Sequence, residues 1–262
     1  HFIAMLAAAT VPALDPFMPR TSRIVLQYPE SWRQAPRPSA APAQRAASWL
    51  NRRGVPASPE LRGKLKSSRS SELAARLFPS ATGDRVEVIA QTLLLWSVET
   101  YQPEIDLSPC WADVLASAAE LMPEDWVARF LMSRTRRPEF LPLILVELMC
   151  GSPLEDEILA DADHSALVEA AADCLATSQS ICSEVSRGLP HGSLRWTEYV
   201  HNSQVRSVRR LAQRLQVRHR NSKRLAPWLR GVFQGLFGFA EYSAASARDT
   251  GAARVEIAVS AI

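Results

Sequence analysis

The chain has 262 residues, long enough for one large buried core. Its 47% apolar content is that of an ordinary globular domain, which excludes a disordered or collagen-like chain. A formal net charge of +3 gives no reason to expect nucleic acid or a membrane surface as partner of the whole chain. No apolar run is long and clean enough to cross a bilayer.

The opening His1–Leu14 is apolar, lacks a basic leader and is cut short by Asp15-Pro16. It reads either as a strap lying on the domain or as the remnant of a signal. Residues 1–40 are proline-rich, hold Phe17 and Trp32 and keep no steady period, so an extended N-terminal segment is expected. A helical domain is expected over 41–249 and a tail over 250–262, where Arg254–Ile262 carries the longest alternating pattern.

Within the domain, Ser39-Ala-Ala-Pro opens a helix that stops near Gly54, a residue suited to the left-handed conformation. A short helix over Ser71–Phe78 ends at Pro79. Val86 to about Trp96 is apolar nearly all round, which predicts a central helix. Helices follow over 108–121 and 124–133, the second started by Pro123-Glu124-Asp125. Another spans Leu141–Met149, before Gly151-Ser-Pro. The clearest pattern lies in 164–187, where Leu167, Ala170, Ala171, Cys174, Leu175, Ile181, Cys182 and Val185 fall at three- and four-residue steps. A basic helix covers about 202–219 and a last one 225–247. The class is all-α, helix packed on helix. Cys110, Cys150, Cys174 and Cys182 lack metal-ligand spacing, and buried thiols in a cytoplasmic protein are expected.

Several pieces, in order, carry a resemblance: Phe17-Met-Pro-Arg, Ala47-Ser-Trp-Leu with Gly54, Leu73-Ala-Ala-Arg-Leu-Phe-Pro, Leu145-Val-Glu-Leu-Met-Cys-Gly-Ser-Pro-Leu-Glu-Asp-Glu-Ile-Leu, and Trp228-Leu-Arg-Gly. Together they cover most of residues 17–248 and resemble bacterial class I terpene cyclases. The resemblance implies a helical bundle around an apolar cavity in which polyprenyl diphosphates are ionised. Relative to that family the chain is short between Trp126 and Arg134 and between Arg187 and His201.

The family's chemistry stabilises a diphosphate leaving group with Mg²⁺, a hard ion held by carboxylates. The window corresponding to its aspartate-rich motif is Val98–Asp106, where the adjacent aspartate pair is missing and Pro103 interrupts the helix. Its Asn, Ser, Glu triple corresponds to Gln179, Ser183 and Arg187, so a fixed cation stands where a metal ligand belongs. Its Arg-Tyr pair corresponds to Glu241-Tyr242, and its diphosphate-sensing arginine lies somewhere in Arg134-Thr-Arg136-Arg137. No metal and no cofactor are therefore expected.

The expectation is a metal-independent terpene-cyclase-like enzyme that folds an apolar polyene or isoprenoid-derived substrate. Glu99 is the first candidate acid, Glu104 the second, and Tyr242 a hydrogen-bonding partner. Trp96, Tyr101, Ser183, Phe233 and Phe237 are candidates to line the substrate site, with core packing as the alternative for the aromatics. The other functional class is a non-catalytic relative that binds an isoprenoid or a protein. The arginine run 206–224 shares its helix with Val205, Val208, Leu211 and Leu215, which points to an exposed basic face rather than a nucleic-acid stripe. His201 and Glu198 form either an acid–base pair or a surface pair. The oligomeric state is left open, a homodimer included.

Overall fold

The computed structural model describes residues 23–33, 41–55, 58–59, 70–187, 191–248 and 254–260. The opening apolar run and the Phe17-Met-Pro-Arg motif lie outside the described residues. Ten α-helices carry the described part of the chain: α1 (Ala41–Arg52), α2 (Ser70–Leu77), α3 (Gly83–Tyr101), α4 (Ser108–Leu121), α5 (Glu124–Arg136), α6 (Leu141–Cys150), α7 (Asp156–Leu159), α8 (Ala162–Ser186), α9 (His191–Arg218) and α10 (Leu225–Arg248). None of them is long and apolar enough to cross a membrane. The all-α bundle expected from the sequence is what forms.

Two helix stops follow the glycine rule. Gly54 (φ 70°) follows α1, and Gly151 (φ 74°) caps α6 by donating to the carbonyls of Glu147 and Leu148. The helix expected from Val86 runs from Gly83 to Tyr101 and ends two residues before Pro103. Along it Val88, Ile89, Leu93, Leu95, Trp96 and Val98 are buried. Every residue of Leu141–Met149 in α6 is buried, so this short helix is the most enclosed. α10 packs along α8, α2 and α6, and its Gly235 and Gly238 face the backbone carbonyls of Leu77 and Arg76 at the end of α2.

Two strands complete the fold. β1 (Arg23–Pro29) pairs in parallel with β2 (Arg254–Ser260), Ile24 opposite Val255 and Leu26 opposite Ile257. Ile24, Leu26 and Tyr28 alternate into the core. The other edge of β1 is satisfied by side chains one turn apart on α9. Glu198 accepts from the Val25 N–H (3.0 Å), while Asn202 accepts from the Gln27 N–H (2.8 Å) and donates to the Val25 carbonyl (3.1 Å). This clamp explains why α9 begins at His191, well before the helix expected from about 202. Between Leu194 and Val205 its buried residues are His201 and Asn202, which give no apolar period.

Candidate functional site

α3 delivers Glu99 to its last turn, where three helices meet. Glu99 Oε1 accepts from the indole N–H of Trp111 on α4 (2.6 Å) and from Nη2 of Arg134 on α5 (2.7 Å). The Arg134 guanidinium also lies over the Trp111 ring, 4.1 Å from its centroid. Both charged side chains are only partly exposed, Arg134 at 24% and Glu99 at 32%, so solvent screens the pair incompletely. The arginine left unassigned among 134–137 is thus divided by role. Arg134 turns to Glu99, and Arg137 binds Glu139 (2.6 Å) and Glu169 (3.0 Å).

Beside this pair, Glu99, Pro103, Glu104, Ile105, Leu107 and Arg134 line an open pocket of about 450 Å³. Glu104 is exposed on it and has no ion-pair or hydrogen-bond partner among the described residues. Asp106 lines it as well; its carboxylate accepts from the Ser108 N–H (2.9 Å), and this bond holds it below the usual carboxylate range. Trp96 lies buried one turn before Glu99, and Tyr101 is half-buried at the end of the same helix.

Tyr242 lies on α10, buried near Phe239 with ring centroids 6.1 Å apart, and α2 and α6 each pack against both α10 and α3. Its neighbour Glu241 pairs with Arg76 of α2 (3.3 Å). Gln179 is buried with its Nε2 unpartnered among the described residues, Ser183 is half-buried, and Arg187 follows the last residue of α8.

Phe233 and Phe237 meet aromatic side chains from the N-terminal segment. Phe233 stacks on Trp32 (4.5 Å, 3° between planes), and Phe237 meets Tyr28 edge-on (5.6 Å, 82°). The Tyr28 hydroxyl lies 3.4 Å from Ser178 Oγ, and burial pushes its phenol well above its ordinary value. His201 is fully buried and bonds Thr177 Oγ1 through Nδ1 (2.9 Å), while Glu198 holds the strand, so these two residues are parted. No pattern in the sequence marks the strand aromatics as partners of α10, or Trp111 as a donor to Glu99.

Other reactive groups are quiet. Burial pushes the Cys182 thiol up to about 12 and the Cys150 thiol up to about 11, which removes thiolate at neutral pH. On the basic helix Val205, Val208, Leu211 and Leu215 are buried, and Arg214 and Arg218 pair with Asp163 and Asp161. Among the described residues no three His, Cys, Asp or Glu side chains gather where a metal ion could be held.

This helical architecture is that of the terpene synthases. A hedycaryol synthase in complex with HEPES aligns with 90% of this chain and 99% of its own at a TM-score of 0.59 and 15% identity. A linalool/nerolidol synthase from Streptomyces clavuligerus, in complex with 2-fluorogeranyl diphosphate, aligns with 88% of this chain and 98% of its own (TM-score 0.57, 13% identity). A point variant of cucumene synthase aligns with 93% of this chain and 99% of its own (TM-score 0.61, 12% identity). At such identities the likeness is one of fold. No protein-family profile matches the chain, and no curated protein matches its sequence.

Proposed function

We propose that this protein is a terpene-cyclase-like enzyme that folds an apolar polyene or isoprenoid-derived substrate for cyclisation or isomerisation, without ionising a diphosphate through Mg²⁺. The observation that carries the reading is the Glu99–Arg134 pair. A carboxylate from the window of the aspartate-rich motif and an arginine from the cluster that would sense diphosphate are bound to each other rather than presented to an ion or a phosphate. The remaining residues do not fit Mg²⁺ either. A guanidinium stands at 187, Gln179 is a buried amide, and Glu241 is matched by Arg76.

What these residues offer instead is proton transfer in the pocket they share. Glu99 is the first candidate acid and Glu104, which lines the same pocket, the second. Protonation of an alkene carbon by one of these carboxyl groups and return of a neighbouring proton to the carboxylate so formed would move a double bond and restore the acid. Holding a flexible polyene in one conformer would lower the barrier further. Product analysis with candidate polyenes tests this: Glu104→Gln and Glu99→Gln should each cut turnover by roughly 10²–10⁴-fold. Full activity in both variants would end the proton-transfer reading.

A second reading, a non-catalytic isoprenoid-binding or protein-interaction relative, is favoured by one observation. Phe233 stacks on Trp32 and Phe237 meets Tyr28 edge-on, so both rings have aromatic partners within the chain. Tight binding of an isoprenoid with no product from any of them supports this alternative.

A further inference from the structure

A separate cavity of about 300 Å³ opens among α5, the turn over residues 138–140, α6, the first turns of α8 and the start of α10. None of the residues discussed for proton transfer lines it. Its size is at the lower end for small-molecule sites. Phe140, Leu143, Ile144 and Val168 give it apolar walls, and the exposed Met132 stands at its edge.

The polar groups around it differ in whether they are already satisfied. Arg129 and Glu147 form a two-point pair, both bonds 2.8 Å, and Glu147 also accepts from the Leu154 N–H (2.9 Å). Arg137 is taken by Glu139 and Glu169. Two groups remain. The His164 imidazole lies near the Trp228 ring (5.3 Å) and makes no hydrogen bond through its side chain among the described residues. Burial, aided by Arg129, lowers its pKa to about 4, so it is a neutral donor and acceptor at pH 7. Arg136 is exposed at the rim and pairs with no carboxylate among the described residues. The Trp228 side chain is itself buried, and its indole N–H has no partner among the described residues.

We propose that this cavity binds a small amphipathic carboxylic acid, its apolar chain against Phe140, Leu143, Ile144 and Val168 and its carboxylate on Arg136, with His164 as a neutral hydrogen-bonding group on the wall. One uncommitted guanidinium matches one carboxylate; a diphosphate would bring several charges to a site whose described residues offer a single uncommitted cation. A wholly apolar ligand would leave both Arg136 and His164 unused.

Calorimetry and intrinsic tryptophan fluorescence with decanoate and 1-decanol test this in the full chain. Decanoate should bind one to one. Val168→Trp, which fills the cavity, should weaken it at least tenfold. Arg136→Gln should weaken decanoate about tenfold and leave decanol unchanged, the size of one charge-assisted bond. Arg206→Gln, on the basic helix, should change neither. In the unmodified protein, decanoate should shift the His164 imidazole resonances and leave those of His201 in place, a readout that does not depend on a variant folding. The proposal is overturned if decanoate does not bind, if binding survives a folded Val168→Trp, if Arg206→Gln weakens it as much as Arg136→Gln, or if His164 does not respond.

Discussion

Arg134 Nη2 lies 2.7 Å from Glu99 Oε1, and the Trp111 indole donates to that same oxygen from 2.6 Å. The arrangement ties the ends of α3 and α5 to the start of α4, so it is structural as well as chemical. Removing Arg134 leaves a partly buried carboxylate with one neutral donor. Arg134→Gln should therefore cost about 1–3 kcal/mol in denaturant unfolding. A double-mutant cycle with Glu99→Gln should return a coupling above about 0.5 kcal/mol. Additive effects would show that the pair contributes no interaction energy.

The contact of α10 on α2 predicts a reversal of the usual glycine rule. In an exposed helix, Gly→Ala gains about 1 kcal/mol. At Gly238 a new Cβ would overlap the carbonyl of Arg76, which is backbone and cannot swing away. Gly238→Ala should thus lower stability by about 1–2 kcal/mol through overpacking, and it should disturb the Arg76–Glu241 pair one turn along. A stabilised variant in thermal melts would mean that the helices do not approach so closely.

Two histidines, His201 fully buried and His164 half-buried, shape the acid side of the stability curve. Burial lowers both His164 and His201 from 6.5 to about 4. Between those values the unfolded chain takes up protons that the folded protein refuses. Their contribution is therefore complete above about pH 6.5 and is lost as pH falls towards 4, at up to about 1.4 kcal/mol per pH unit for each. Urea unfolding at pH 7, 6 and 5 should show the decline, and His201→Gln should flatten it. A profile unchanged by that substitution would contradict the assignment.

Much of the fold was legible in the sequence because most helices bury an apolar stripe, and α8 is the plainest example. Gly54 and Gly151 marked their stops through the one backbone conformation that glycine favours. What escaped was held by polar groups. β1 shows only Ile24, Leu26 and Tyr28 as a short alternation, and its edge is completed by Glu198 and Asn202, polar side chains that no apolar period marks. The resemblance singled out Glu99 and Glu104 around the end of α3, but the Trp111 and Arg134 bonds to Glu99 join residues 12 and 35 positions away, and no local pattern reports them.

Under the proposed function, Mg²⁺ does not ionise a diphosphate in this protein. The most direct test measures inorganic diphosphate release from geranyl, farnesyl and geranylgeranyl diphosphate, with Mg²⁺ and then with a chelator. The account predicts no release above the uncatalysed rate with Mg²⁺ present, and any turnover of a polyene unchanged by EDTA. Diphosphate release that requires Mg²⁺ and stops on chelation would contradict it, and would mean that Glu99 and Arg134 part to receive the ion and the substrate.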